Sequence, residues 1–231
     1  MVLSAWTARA AQSEREFERL REAMVRDQIA ARGVKDERVL RVMRELPRHL
    51  FVPPRWQAQA YTDKPLPIGE EQTISQPYIV ALMTELLRPQ PGDVVLEVGT
   101  GSGYQAAVLS RLARQVYTIE IVPPLAQDAA RRLQSLGYSN VQVKTGDGYL
   151  GWPEHAPFDG IIVTAAPPEI PPALLAQLKR GGRMVVPVGK SGRTQQLMVL
   201  EKSKTSDQIV GRNVIPVRFV PMVEKPVTSD K

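Results

Sequence analysis

The residues best suited to chemistry fall at Glu97-x-Gly99-x-Gly101-x-Gly103, directly after the apolar run Val94, Val95, Leu96 and Val98. A short β-branched run bounded by glycines reads as a buried strand of a parallel sheet. Glycine lets the following backbone turn sharply and approach a ligand with no Cβ in the way. Gln105–Ala113 (QAAVLSRLA) has helix-forming composition. The loop therefore joins a strand to a helix N-terminus, where unpaired N–H groups and the helix dipole suit a nucleotide-type cofactor. A dinucleotide fold uses G-x-G-x-x-G; this spacing differs and adds a carboxylate inside the strand end, which disfavours a nicotinamide oxidoreductase. The predicted cofactor contacts of this stretch are Glu97, Gly99, Thr100, Gly101 and Gly103.

Two more carboxylates belong to the same picture. A second apolar run, Val116–Ile121 (VYTIEI), ends near Glu120, whose carboxylate at a strand tip can accept hydrogen bonds from both ribose hydroxyls. A third run, Val141–Val143, leads into Lys144-Thr145-Gly146-Asp147-Gly148. Asp147 there is either an acceptor for the exocyclic amine of a base or an ordinary turn aspartate. Ser75, in QTISQP, is a plausible N-cap for the helix expected over Tyr78–Leu87, and a functional role is compatible with capping.

The elements that must position these residues alternate strand and helix. Helix Leu125–Leu136 ends at Gly137; strand Phe158–Ala166 precedes a proline-rich loop and helix Ala173–Leu178. Lys179–Gly182 reads as a turn into strand Arg183–Val188, followed by strand-like runs Gln195–Glu201 and Asn213–Val220. The expected fold is α/β, a doubly wound and mostly parallel sheet with an N-terminal helical flank and the ligand at the C-terminal edge of its strands. The flank is two amphipathic pieces within Ser13–Leu46, separated at Gly33. Pro47–Gln76 carries five prolines and the aromatics Phe51, Trp56 and Tyr61, which predicts an ordered loop with short elements. The reading is one domain over 1–231: an extension at 1–12, a helical and substrate-loop region at 13–88, and the cofactor-binding core with C-terminal strands at 89–231.

Composition narrows the chemistry. The 231 residues contain no cysteine and two histidines, His49 and His155, far apart in the chain. Disulfides, thiolate metal sites and a cysteine nucleophile are excluded, and neither a metal site nor a histidine-centred apparatus is expected. The net charge of +6 comes from Lys and Arg scattered among Asp and Glu, without a basic run interleaved with aromatics, so no nucleic-acid partner is expected. No apolar run is long enough for a bilayer and the N-terminus lacks a signal-like apolar region; a cytoplasmic monomer with no membrane partner is the expectation.

Together these stretches resemble the class I S-adenosylmethionine-dependent methyltransferases and, within them, the protein-L-isoaspartate O-methyltransferase family. The similarity runs from about Met24 to the C-terminus and is carried by LPIGEEQTISQPYIVALMTELL, LEVGTGSGYQAAVL, TGDGYLGWPEHAPFDGIIVTAA and LKRGGRMVVPVG. The resemblance implies S-adenosyl-L-methionine as cofactor, S-adenosyl-L-homocysteine as product, and isoaspartyl-containing proteins and peptides as partners. It implies Ser75 as the catalytic residue, with Gln72, Thr73 and Ile74 lining the cleft shared by cofactor and substrate. Gly99, Gly101 and Gly103 would hold the methionine part, Glu120 the ribose, and Asp147-Gly148 the adenine. Glu70-Glu71 departs from the family pattern, where an aromatic or histidine and a glycine are common, and leaves the shape of that loop open. The peptide would be gripped by Pro53–Ile74 and Val214–Pro221. A methyltransferase for a small molecule or an RNA base would share the cofactor residues and differ around Pro53–Pro77. A non-catalytic binding module on the same fold is the rival of a different class.

Overall fold

A computed structural model describes residues 14–224; the predicted extension at 1–12 and Ser13 lie outside the described residues. The chain enters as helix α1 over 14–23, which continues as a wider π turn over Met24–Ile29 and a tight turn over Ala30–Arg32. Met24, Val25 and Ile29 are buried, as their helical spacing predicts, whereas Leu20 of the same expected stripe is exposed. Helix α2 (Glu37–Glu45) is capped by the Asp36 carboxylate, which accepts from the Arg38 N–H at 2.9 Å.

The proline-rich stretch is ordered, as expected. It holds two short helical turns, Arg48–Phe51 and Pro54–Gln59, and then a hairpin of β1 (Leu66–Gly69) and β2 (Gln72–Ile74). Gly69 pairs with Gln72, leaving Glu70-Glu71 as a two-residue loop with both residues at positive φ (51° and 56°). This is the backbone of a mirror-image hairpin turn, which matches strand twist but normally takes Asn or Gly. At Glu70-Glu71 this chain therefore places two glutamates in a left-handed backbone that non-glycine residues adopt at a cost.

Helix α3 (Pro77–Leu87) leads to the main sheet: β3 (Val94–Val98), α4 (Tyr104–Ser110), β4 (Gln115–Glu120), α5 (Pro123–Ser135), β5 (Val141–Thr145), β6 (Phe158–Val163), α6 (Pro172–Gln177), β7 (Leu178–Val188), β8 (Gln195–Lys202) and β9 (Ile209–Val217). The spatial order is β5-β4-β3-β6-β7-β8-β9, with β3 to β7 parallel and β8 and β9 antiparallel. The chain winds away from β3 in both directions, so the carboxyl ends of β3 and β6 open a crevice at the switch point. Val95, Leu96, Ile161, Ile162 and Val163 have no exposed surface, which explains why these strands read as continuous apolar runs.

Lys179–Gly182 is not the turn its composition suggests. It lies within β7, and pairing with β6 skips from Phe158↔Leu178 to Gly160↔Arg183. The glycine pair makes an irregularity inside a strand that long-range pairing holds together. Likewise β9 begins at Ile209, four residues before the expected run, because β8 continues to pair with it there.

Relieving the hairpin gives a direct test. Glu71→Gly removes a left-handed non-glycine residue and is expected to raise unfolding free energy by up to ~1 kcal/mol. Urea unfolding reads it; a lower midpoint would show that the turn is not strained.

Candidate active site

The glycine loop runs across the carboxyl edge of β3. Gly99 and Thr100 donate their N–H groups to the Ile119 carbonyl of β4 at 2.8 and 3.2 Å. The Glu120 carboxylate then bridges two segments: Oε2 accepts from Gly101 N–H at 2.8 Å and Oε1 from Val122 N–H at 3.0 Å. Each oxygen retains a lone pair toward the cavity. Gly99 is required by contact as well as conformation. At φ 99° a Cβ would lie 2.4 Å from Thr164 Oγ1, and that hydroxyl donates to the Gly99 carbonyl at 2.7 Å.

Glu97 is wholly buried beside this loop. Its Oε2 accepts from Thr118 Oγ1 at 2.6 Å, and Thr118 is in turn 2.7 Å from Thr100 Oγ1. Its Oε1 has no partner among the described residues, and the residue lines the cavity. Burial pushes the carboxyl up to about 8, the Thr118 hydrogen bond opposes this, and the neighbouring Glu120 charge adds to it. A buried acceptor left unsatisfied at a cavity wall is a group prepared for a ligand donor.

The structure sorts the remaining predictions. Gln72, Thr73, Ile74, Ser75, Gly99, Thr100, Gly101, Glu120 and Gly148 all line this cavity. Gly103 is not among the lining residues: it is the N-cap of α4, where a Cβ would meet Leu133 Cδ1 at 3.1 Å. Asp147 does not line it either. Its carboxylate accepts from Tyr149 N–H at 2.8 Å, the turn-aspartate alternative, and so shapes the backbone at Gly148. A Cβ on Gly148 would fall 2.3 Å from Val98 Cγ1 and 3.1 Å from Met222 Cε.

Ser75 is not the N-cap of α3. Gln76 holds that position and makes no side-chain cap bond, and Pro77 takes the first helical place, where a missing N–H costs nothing. The Ser75 hydroxyl has no hydrogen-bond partner among the described residues, while its carbonyl accepts from Arg48 Nη2 at 2.7 Å. A second cavity lies beyond it, bounded by Arg32, Gln76, Ile79 and the Ile215–Val220 exit from β9. Thr73, Ser75, Thr164 and Val220 line both cavities.

Sequence reasoning missed Thr164 and the cofactor-side role of the C-terminal segment. Met222 and Val223 close the first cavity because Met222 N–H donates to Ala166 O at 2.9 Å and Tyr149 Oη donates to Met222 O at 3.2 Å. The available signal for Thr164 was its place just past the apolar strand FDGIIV, at the same sheet edge as Gly99. Both histidines lie elsewhere: His49 stacks on Phe17 and His155 on Tyr117.

The family model for protein-L-isoaspartate(D-aspartate) O-methyltransferase matches residues 18–227. The chain belongs to this family. Protein-L-isoaspartate O-methyltransferase 2 of Polaromonas sp. (strain JS666 / ATCC BAA-500) is 62% identical over 187 residues, 81% of this chain and 88% of that protein. The protein-L-isoaspartate O-methyltransferase of Gloeobacter violaceus is 55% identical over 204 residues, covering 88% and 98%. A solved protein-L-isoaspartate O-methyltransferase superposes with a TM-score of 0.76 at 34% identity, covering 89% of this chain; the chain spans 65% of its length. A Plasmodium falciparum structure in complex with S-adenosyl-L-homocysteine shares the fold, with a TM-score of 0.76 at 23% identity over 88% of this chain and 98% of that one. In this chain the first cavity combines a spare carboxylate oxygen, a bridging carboxylate and the apolar residues Val98, Ile119 and Met222.

Glu97 fixes the sign of one pH effect. Its folded value of about 8 exceeds its ordinary 4.5, so between those values the folded state holds a proton that the unfolded state has released. The Glu97 contribution to stability therefore falls as pH rises from about 5 to 8. Urea unfolding of Glu97→Gln is expected to show a flatter profile across that window; identical slopes would mean Glu97 is already ionised at pH 5.

Proposed function

We propose that this chain transfers the methyl group of S-adenosyl-L-methionine to the free carboxylate of L-isoaspartyl residues in damaged proteins and peptides. Membership of the isoaspartate methyltransferase family supports the reaction. The observation that carries the site assignment is the meeting of two cavities at Ser75.

The residues of the first cavity fit the cofactor. The spare Glu97 oxygen can accept from a cationic group of its methionine part as the carboxyl releases its proton, and the free lone pairs of Glu120 from ribose hydroxyls. Gln72, Thr73 and Ile74 form the wall toward the acceptor; Gly148, with Val98 and Met222, forms an apolar slot for the base. Asp147 enters this reading through the backbone it caps, and Gly103 through the helix it starts. When bound, the cofactor supplies a methyl group activated by sulfonium.

An isoaspartyl carboxylate has an ordinary pKa near 3.5 to 4 and is ionised at neutral pH, so no general base is needed. The protein must orient that anion and exclude water. The Ser75 hydroxyl, uncommitted on a residue that lines both cavities, would donate a hydrogen bond to one carboxylate oxygen and leave the other for attack in line. Methyl transfer forms an ester C–O bond as the methyl–sulfur bond breaks, neutralising a cation and an anion, which a dry site favours. In solution the neighbouring backbone nitrogen then attacks the ester carbonyl, giving up its proton, and methanol leaves as the succinimide ring closes.

The second cavity, between Gln76–Ile79 and the β9 exit, suits an extended peptide held by backbone hydrogen bonds. This grip reads little of the flanking side chains, as repair of damage in many contexts demands. We further infer one domain acting as a monomer in the cytoplasm. The exposed large apolar residues, such as Leu50, Leu136 and Val210, come from separate elements, and no helix among the described residues is long and apolar enough to cross a membrane.

Labelled S-adenosylmethionine offered with matched peptides is expected to label the isoaspartyl peptide and not the aspartyl one; equal labelling would sink the reading. Ser75→Ala is expected to lower kcat about tenfold, one hydrogen bond's worth. S-adenosylhomocysteine affinity, read by calorimetry, should stay within about threefold. Unchanged turnover would remove Ser75 from the mechanism.

A further inference from the structure

Arg48 has no exposed surface, yet among the described residues no carboxylate faces it. Burial pulls its pKa down to about 10, which still leaves it charged at neutral pH. A buried cation without a counter-ion calls for a reason. Its bonds supply one. Nη2 donates to the Ser75 carbonyl at 2.7 Å, Nε donates to the Ala60 carbonyl at 2.8 Å, and Cζ sits 4.9 Å from the centre of the Tyr104 ring.

These three partners belong to different parts of the site. Ser75 is on the turn that separates the two cavities, Tyr104 is the first residue of α4 behind the glycine loop and lines the first cavity, and Ala60 anchors the proline-rich segment. The Ser75 carbonyl lies just before α3, where Pro77 has no N–H and the helix ladder starts from the Gln76 carbonyl. A side chain from another segment supplies its donor. The planar guanidinium can hold both carbonyls at fixed directions while lying on the aromatic face, which a lysine ammonium cannot reproduce.

We propose that Arg48 is a positioning residue for methyl transfer: it fixes the Ser75 turn relative to the glycine loop, and so sets the distance from acceptor to donor. This rests on the function proposed above for the Ser75 site. Arg48 lines neither cavity. Its effect belongs in kcat and not in cofactor affinity, because small misplacements of reacting groups can cost about a hundredfold in rate.

The test uses Arg48→Met, which keeps the apolar stem and removes the fork, and Arg48→Lys, which keeps charge but can hold only one carbonyl at a time. In Arg48→Met, kcat on an isoaspartyl peptide is expected to fall about 30- to 100-fold, and in Arg48→Lys about five- to tenfold. Affinity for S-adenosylhomocysteine should stay within about threefold for both. Amide exchange over 72–78 should quicken at least tenfold, while β3 and α4 keep their protection. That exchange measurement does not depend on the substrate: an inactive wild type sinks the proposed reaction, whereas unchanged exchange over 72–78 sinks the role of Arg48. Wild-type kcat in either folded variant, or a kcat loss matched by an equal loss of S-adenosylhomocysteine affinity, also overturns it. If Arg48→Met does not fold, Arg48→Lys decides by the same measures.

Discussion

The bridge that Glu120 makes between Gly101 N–H and Val122 N–H ties the rest of the site together. It joins the loop after β3 to the loop after β4, on the β4 side of the crevice that opens where the sheet order reverses between β3 and β6. Ionised acceptors bound by backbone N–H groups form the stronger class of hydrogen bond. With both loop mouths fixed, Gly99 and Thr100 can hang from the Ile119 carbonyl, and Thr164 can close against Gly99 from β6. Three parallel strands thus present one continuous rim, and every element packed behind them serves to keep that rim still.

Two buried ionisable groups stand against this economy. Glu97 lies in the sheet with half of its carboxylate unsatisfied, and Arg48 lies among aromatics with an unpartnered Nη1. Isolated buried charges cost several kcal/mol each, on the order of the whole stability margin of a domain. Glu97 lessens its cost by holding a proton, since its carboxyl is raised to about 8. Arg48 cannot do so and depends on two carbonyls and the Tyr104 face. Both groups sit within one layer of the proposed reaction path, where local stability is given up for geometry.

The cofactor half was largely legible in the chain, because its logic is local. Glycine spacing marks where backbone must approach a ligand, and Glu97 and Glu120 mark strand ends, each within a few residues of an apolar run. Where the reading failed, the deciding contact came from far along the chain. Lys179–Gly182 has turn composition, yet pairing with β6 keeps it in a strand. Ser75 has the chemistry of a cap, but Pro77 moves the helix start so that Gln76 takes the place. Gly103 belongs to the motif by spacing and to helix packing by contact with Leu133. Met222 sits 56 positions beyond Ala166 in the chain and is brought back by one short bridge, which no local pattern encodes.

The shared wall of Thr73, Ser75, Thr164 and Val220 makes the site two rooms with one doorway. On the function proposed above, a nucleoside-sized molecule and a long polypeptide would reach that doorway from different sides, so the bulk of the polypeptide would not have to pass through the smaller room.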